Sequence, residues 1–115
     1  LNHSGKEIGE ALAHMDTTHK TIAFLDDYRT SAVFYSGKTI YRAEPGDKIA
    51  SMEPGTLSWN AKNVMPFVAE EKLLDNPDAL LITNKNSSAP FLIAYNKENL
   101  ASCINVPGKY ALWLR

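Results

Sequence analysis

The chain has 115 residues, of which 44% are hydrophobic and 22% charged, a composition typical of one globular domain. Its 12 basic and 13 acidic residues give a net charge of −1, and no block of like charge occurs. This balance argues against a nucleic-acid-binding protein, which needs a basic stripe to displace counterions, and against a protein held at a membrane surface by charge.

Missing features narrow the function classes further. The longest apolar runs, Ala79–Ile82 and Phe91–Tyr95, are far shorter than the ~20 residues that a membrane span requires. Cys103 is the single cysteine, so an internal disulfide and a cysteine-based zinc site are excluded, and its apolar surroundings predict a buried side chain. The spacing of the three histidines does not favour a shared helix face. We therefore predict no metal site and no cofactor.

The first predicted element is an amphipathic helix over residues 5–15. Ser4 and Glu7 have the spacing of a capping box, in which the serine side chain caps the helix and the glutamate reaches back. Apolar residues then recur at positions i, i+3, i+4 and i+7, which places them in one stripe on the helix. These residues are Ile8, Ala11, Leu12 and Met15.

Two strands and a short helix follow. Thr21–Leu25 is rich in β-branched and apolar residues, which is typical of a buried central strand. The turn-forming segment Asp26–Arg29 separates this strand from a short predicted helix, Thr30–Tyr35. A second strand is predicted at Lys38–Arg42.

The second half of the chain is predicted to begin with an irregular segment, after which helices and strands alternate again. Residues 43–63 contain two Pro-Gly turn signals, with an edge strand at Lys48–Met52 and another short piece at Leu57–Trp59. The later elements are a helix from Pro66 to Leu74, a buried strand Ala79–Thr83, a helix from Pro90 through Tyr95, and a hairpin of Leu100–Val106 and Lys109–Leu114. Phe91–Ala94 is equally compatible with a strand.

This order predicts one α/β domain over residues 1–115. Helices that alternate with buried strands imply three layers, with a mostly parallel or mixed sheet covered by helices on both faces and an antiparallel hairpin at its C-terminal edge. Thr21–Leu25 and Ala79–Thr83 should be neighbouring or near-neighbouring strands, with the first helix packed on them.

Two short motifs bear on function. Ser36–Thr39 resembles the end of a phosphate-binding loop, but Ala32 stands where that loop needs glycine, and the segment leads into a strand rather than a helix. No nucleotide ligand is therefore predicted.

Asp26 and Asp27 follow the first strand at its carboxyl end, where parallel sheets place ligand crevices. Such carboxylates serve acid–base chemistry or hold a divalent ion, and the alternative is that Asp26 caps a helix.

The stretch from Ser4 to Arg42 resembles the C-terminal extracytoplasmic domain of lipid-carrier-dependent membrane glycosyltransferases. These enzymes are bacterial relatives of the protein O-mannosyltransferases and of the aminoarabinose transferase that acts on lipid A. The resemblance lies in the order of helix, strand and break and in the aliphatic-Phe-Tyr segment Val33–Tyr35, followed by the basic Lys38. Gly108, Tyr110 and Leu112 match the family's ending.

The resemblance implies a polytopic parent that transfers a sugar from a polyprenyl-phosphate carrier to a lipid or protein acceptor. The family's catalytic carboxylate belongs to a loop outside this chain, so the resemblance implies that no residue here is catalytic. The chain, which begins at Leu1, is expected to be an excised domain on the extracytoplasmic face of a membrane, with the transmembrane part of its parent as its partner.

The residues expected to contact an acceptor follow the first strand and the short helix. They are Asp26, Tyr28, Arg29, Tyr35 and Lys38, and a sugar or a phosphate-bearing acceptor would suit their hydrogen-bonding groups. Two other function classes stay open. One is a stand-alone small-molecule-binding or regulatory module that uses the same crevice, and the other is a small independent enzyme, for which no nucleophile–base pair is visible.

Overall fold

Helices and strands alternate along the chain, as their sequence pattern predicts. The computed structural model describes residues 4–52 and 66–115. The helices are α1 (Lys6–Ala13), α2 (Thr30–Ser36), α3 (Gly46–Ala50), α4 (Glu70–Leu74) and α5 (Pro90–Asn99). The strands are β1 (Thr21–Phe24), β2 (Tyr41–Glu44), β3 (Phe67–Ala69), β4 (Ala79–Asn84), β5 (Ser102–Asn105) and β6 (Tyr110–Leu114).

The strands form one mixed sheet in the order β3-β2-β1-β4-β6-β5. The pairs β3–β2, β2–β1 and β1–β4 are parallel, whereas β6 runs antiparallel to both β4 and β5. In the register of the two central strands, Ile22 lies opposite Leu80 and Phe24 opposite Ile82. The predicted α/β class, the neighbouring buried strands and the C-terminal antiparallel hairpin are therefore confirmed.

Helices pack on both faces of the sheet because side chains of a strand point alternately to its two sides. Ile22 and Phe24 of β1 belong to one buried cluster together with Ile8 and Leu12 of α1. Ala23 lies in a second buried cluster, to which α4 and α5 contribute Leu73, Leu92 and Tyr95. The core thus consists of two apolar layers with the sheet between them.

Two glycines let α1 approach α2 closely. A Cβ atom on Gly9 would lie 2.8 Å from Cβ of Tyr35 and 2.9 Å from the carbonyl oxygen of Ala32. A Cβ atom on Gly5 would lie 2.5 Å from Oγ of Ser31, to which the Gly5 amide donates a 3.0 Å hydrogen bond. The two glycines stand four residues apart and therefore on one side of the helix, which fixes the side that faces α2.

The start of α1 differs from the prediction. Gly5, and not Ser4, occupies the N-cap position, so the predicted capping box with Ser4 as its N-cap is wrong. Because the amide of Gly5 is bound by the side chain of Ser31 in α2, a residue distant in sequence supplies the hydrogen bond that a local pattern was expected to provide.

Two predicted elements in the middle of the chain are wrong. Residues 46–50 form helix α3 instead of an edge strand, and the carboxylate of Glu71 accepts hydrogen bonds from the Gly46 amide at 3.0 and 3.2 Å. The segment after Pro66 begins as strand β3, paired with β2, before the short helix α4. A helix was expected over that whole segment. The predicted piece at Leu57–Trp59 lies outside the described residues.

The C-terminal part agrees with the prediction except at the cysteine. Helix α5 and the hairpin form, and Tyr110 and Leu112 face one layer while Trp113 faces the other. Cys103, however, is exposed, because β5 is the outermost strand of the sheet and its residues are largely accessible. The predicted burial of this side chain is therefore wrong.

Candidate functional site

The sheet has a topological switch point at β1, because its parallel neighbours β2 and β4 lie on opposite sides of it. In open α/β sheets, ligands bind beyond the carboxyl ends of the strands at such a point. The segment that leaves β1 here carries Asp26 and Asp27. Since β6 runs antiparallel to β4, its first residue, Tyr110, lies at this same edge, paired with Asn84.

Three side chains meet at this edge, and we refer to Asp27, Arg29 and Tyr110 as the Arg29 cluster. Nε of Arg29 donates a 3.1 Å hydrogen bond to the hydroxyl oxygen of Tyr110. Nη2 of Arg29 donates to Oδ2 of Asp27 at 3.3 Å, and the Tyr110 hydroxyl donates to that same oxygen at 3.4 Å. Each member is therefore bound to the two others.

The tyrosine anchors the cluster to the core. Tyr110 is only 2% exposed, and its ring meets that of Phe24 edge-on, with 5.6 Å between the centroids. The side chains of Arg29 and Asp27 are 31% and 36% exposed. The hydroxyl group of a buried tyrosine thus orients two charged groups that solvent can reach.

The neighbours of Arg29 favour the charged form of its guanidinium. The hydrogen bond with the Tyr110 hydroxyl raises the pKa of the Arg29 guanidinium above its ordinary value, and the negative charge of Asp27 raises it further. Because an arginine is protonated in proteins even without such a shift, the guanidinium is a permanent cation at the switch point.

The Asp26 side chain is bound to the end of β4 and does not cap a helix. Its Oδ2 accepts a 3.3 Å hydrogen bond from the backbone amide of Asn84 at the end of β4. Arg29 occupies the N-cap position of α2, where no side chain makes a capping hydrogen bond, so the interpretation of Asp26 as a helix cap is wrong. The two adjacent carboxylates have different roles, since Asp26 joins β1 to β4 and Asp27 belongs to the Arg29 cluster.

Tyr28 and Lys38 border a different part of the molecule. The Tyr28 hydroxyl donates to the carbonyl of Ile40 at 3.0 Å, and burial raises the pKa of Tyr28. Nζ of Lys38 donates to the carbonyl of Met15 at 2.7 Å, near the end of the sheet where β1 begins. Both side chains line an open hollow of about 390 Å³. Its other lining residues are Val33, Gly37, Thr39, Ile40 and Pro66.

Tyr35 stands apart from both places. It lies on α2, where the ammonium of Lys6 is 5.7 Å from the centroid of its ring. The structure therefore brings Asp26 and Arg29 to the switch point, Tyr28 and Lys38 to the hollow, and Tyr35 to the surface between α1 and α2. The five expected contact residues do not converge on one crevice.

The sequence pattern does not indicate that Tyr110 is a site residue, and it predicts no separate role for Asp27. Tyr110 lies 83 residues after Asp27 and reaches it only because β6 is inserted beside β4. The pattern that predicted the hairpin places Tyr110 at the start of the last strand. It does not indicate which strand this hairpin joins.

The described part of the chain shows neither a metal-binding group of side chains nor a membrane-spanning helix. Within residues 4–52 and 66–115, no group of three or more His, Cys, Asp or Glu side chains is placed to hold a metal ion. In the same described ranges, every helix is too short or too polar to cross a bilayer.

Comparisons with protein-family models, with curated proteins and with solved structures return no match for this chain.

Proposed function

We propose that this chain is the extracytoplasmic accessory domain of a membrane glycosyltransferase. The parent would transfer a sugar from a polyprenyl-phosphate carrier to a lipid or protein acceptor. This domain would pack against the transmembrane part and help to cap the active site or position the acceptor. It would itself supply no catalytic residue. The class of enzyme is inferred from the resemblance of Ser4–Arg42. The geometry of the Arg29 cluster supports the positioning role.

The observation that carries the proposed role is the Arg29 cluster. A guanidinium and a carboxylate, both partly exposed and both fixed by Tyr110, stand at the switch point of the sheet. Such groups bind and orient a polar ligand. The hydroxyl group of the cluster, on Tyr110, belongs to a buried residue and is bound by both charged groups, so the cluster fits a positioning surface better than a reaction centre.

The test is sugar transfer by the full-length parent protein with single substitutions in this domain. We expect Arg29→Ala to reduce transfer about tenfold or more, as a lost charge-assisted contact does. Lys97→Ala, which removes an exposed cation on α5, should leave transfer unchanged. Unfolding of the 115-residue chain by urea would verify that both variants fold. Unchanged transfer by a folded Arg29→Ala variant would contradict the proposed role.

The alternative, a stand-alone binding or regulatory module, would use the same cluster without a membrane parent. The sequence that precedes Leu1 in the natural gene separates the two functions. Repeated apolar segments of about 20 residues are expected there if the proposal is correct. A preceding segment without them would favour the stand-alone module.

A further inference from the structure

The hydrogen bonds of the Arg29 cluster leave one donor group and one acceptor atom of the ion pair unused. Arg29 uses Nε and one Nη2 hydrogen within the cluster, and Asp27 uses Oδ2. Nη1 of Arg29 and Oδ1 of Asp27 make no hydrogen bond to any residue in the described ranges 4–52 and 66–115. Both side chains are about one third exposed, so a ligand can reach this ion pair.

We infer that the Arg29 cluster binds adjacent hydroxyl groups of a neutral sugar and discriminates against phosphate. This inference rests on the proposed function, for which it names the ligand class at the site. A guanidinium only donates hydrogen bonds, and an ionised carboxylate only accepts them. One hydroxyl of a sugar can accept from Nη1 of Arg29 while its neighbour donates to Oδ1 of Asp27, so a pair of hydroxyl groups satisfies both.

A phosphate is a poorer match because its ionised oxygens can only accept. It would bind Arg29 alone, and its charge would be repelled by the carboxylate of Asp27, which lies 3.3 Å from the guanidinium. The cluster carries one positive and one negative charge, so it offers an anion no net attraction.

The surrounding edge is also balanced in charge. Lys109 lies over the ring of Tyr110, with 5.3 Å from Nζ to the centroid, and Nζ of Lys85 donates to the carbonyl of Val106 at 2.7 Å. Two carboxylates offset these cations. Asp26 binds the Asn84 amide, and Glu7 lies so close to Gly108 that a Cβ atom there would be 2.9 Å from its Oε2.

The experiment is a titration of the ¹⁵N-labelled 115-residue chain, followed by the shifts of its amide resonances in NMR spectra. Methyl α-mannoside and inorganic phosphate are added separately, each at millimolar concentrations. We expect the sugar to produce saturable shifts at residues 26–29 and 109–110 and phosphate to produce none. Saturable binding of phosphate, or no saturable binding of the sugar, would overturn the inference.

Two substitutions sharpen the result. Asp27→Asn removes the negative charge, so it should weaken sugar binding about tenfold and create measurable phosphate binding. Lys97→Ala is the matched surface control and should change neither. Unaltered sugar binding by Asp27→Asn would also overturn the inference. These outcomes are independent of sugar transfer by the parent, so the inference can fail while the proposed function stands.

Discussion

The Tyr110 hydroxyl and Nε of Arg29 are joined by a 3.1 Å hydrogen bond, although 81 residues separate them in the chain. This bond connects the segment that leaves β1 to the first residue of the last strand. It ties the β1–α2 connection, on the parallel side of the sheet, to the antiparallel hairpin. Because the ring of Tyr110 is buried against Phe24, the bond also fixes the direction in which the guanidinium points.

We expect Tyr110→Phe to lower the free energy of unfolding by about 1 kcal/mol, since it removes the hydroxyl while keeping the packed ring. The measurement is unfolding by urea. Tyr41→Phe is the control, because the Tyr41 hydroxyl makes no hydrogen bond within the described residues, and it should have little effect. Equal losses in the two variants would show that the cluster does not stabilise the fold.

The central sheet was predicted correctly from its apolar segments. Such a segment must be covered by other elements on both faces, whichever elements these are. The near-continuous apolar segments of β1 and β4 require helices on both faces, and the structure provides them. Short segments were predicted poorly. Residues 46–50 and 67–69 take their conformation from distant partners, Glu71 and the edge of β2, which a local pattern of three to five residues does not reveal.

Only the part of the site that follows the first strand could be predicted from the sequence. The position of Asp26–Arg29 follows from the carboxyl end of the first strand, whatever the remaining strand order is. Tyr110 depends on the insertion of β6 beside β4, and Lys38 lies at the opposite end of the sheet because it precedes a parallel strand. Residues close in sequence to the first strand were therefore predicted to line one crevice, whereas the geometry of the sheet places them at different sites.

Helix α1 should be essential to the core. Leu12 is fully buried, so Leu12→Ala should lower the free energy of unfolding by about 2–5 kcal/mol. Leu100→Ala is the matched control, since Leu100 is 84% exposed and its truncation should cost less than about 0.5 kcal/mol. Urea denaturation measures both. A loss below about 1 kcal/mol for Leu12→Ala would mean that α1 is peripheral.

Cys103 should react with a thiol reagent in the folded chain. It is exposed on the edge strand β5, so one thiol per chain is expected to react without denaturant. Absorbance after addition of a disulfide reagent reports the reaction, and Cys103→Ser provides the baseline. A thiol that reacts only in urea would contradict the exposed position.

Neither ATP nor GTP should bind at Ser36–Thr39. Gly37 ends α2 in a left-handed conformation with φ of 67°, and Nζ of Lys38 is held by the carbonyl of Met15. The segment thus terminates a helix and leads into a strand, whereas a phosphate-binding loop opens a helix. Isothermal titration with either nucleotide and Mg²⁺ should give no binding heat. Micromolar affinity for either nucleotide would contradict this prediction.

Glu70 should make the fold less stable at neutral pH than in mild acid. Burial raises the pKa of Glu70 above its ordinary value of 4.5, and the nearby charges of Glu71 and Glu44 raise it further. The folded chain therefore holds this proton more tightly than the unfolded chain does. Its contribution to stability is present in full below pH 4.5 and is lost as the pH rises through the raised pKa.

Glu70→Gln should consequently raise the urea midpoint at neutral pH, and the difference from the wild type should shrink as the pH falls to 4.5. The measurement is urea denaturation of both chains across this interval. Glu10→Gln on the exposed side of α1 controls for the loss of one negative charge. If Glu70→Gln lowered the midpoint at neutral pH, or if its effect grew in acid, the carboxylate would instead be stabilised by the fold.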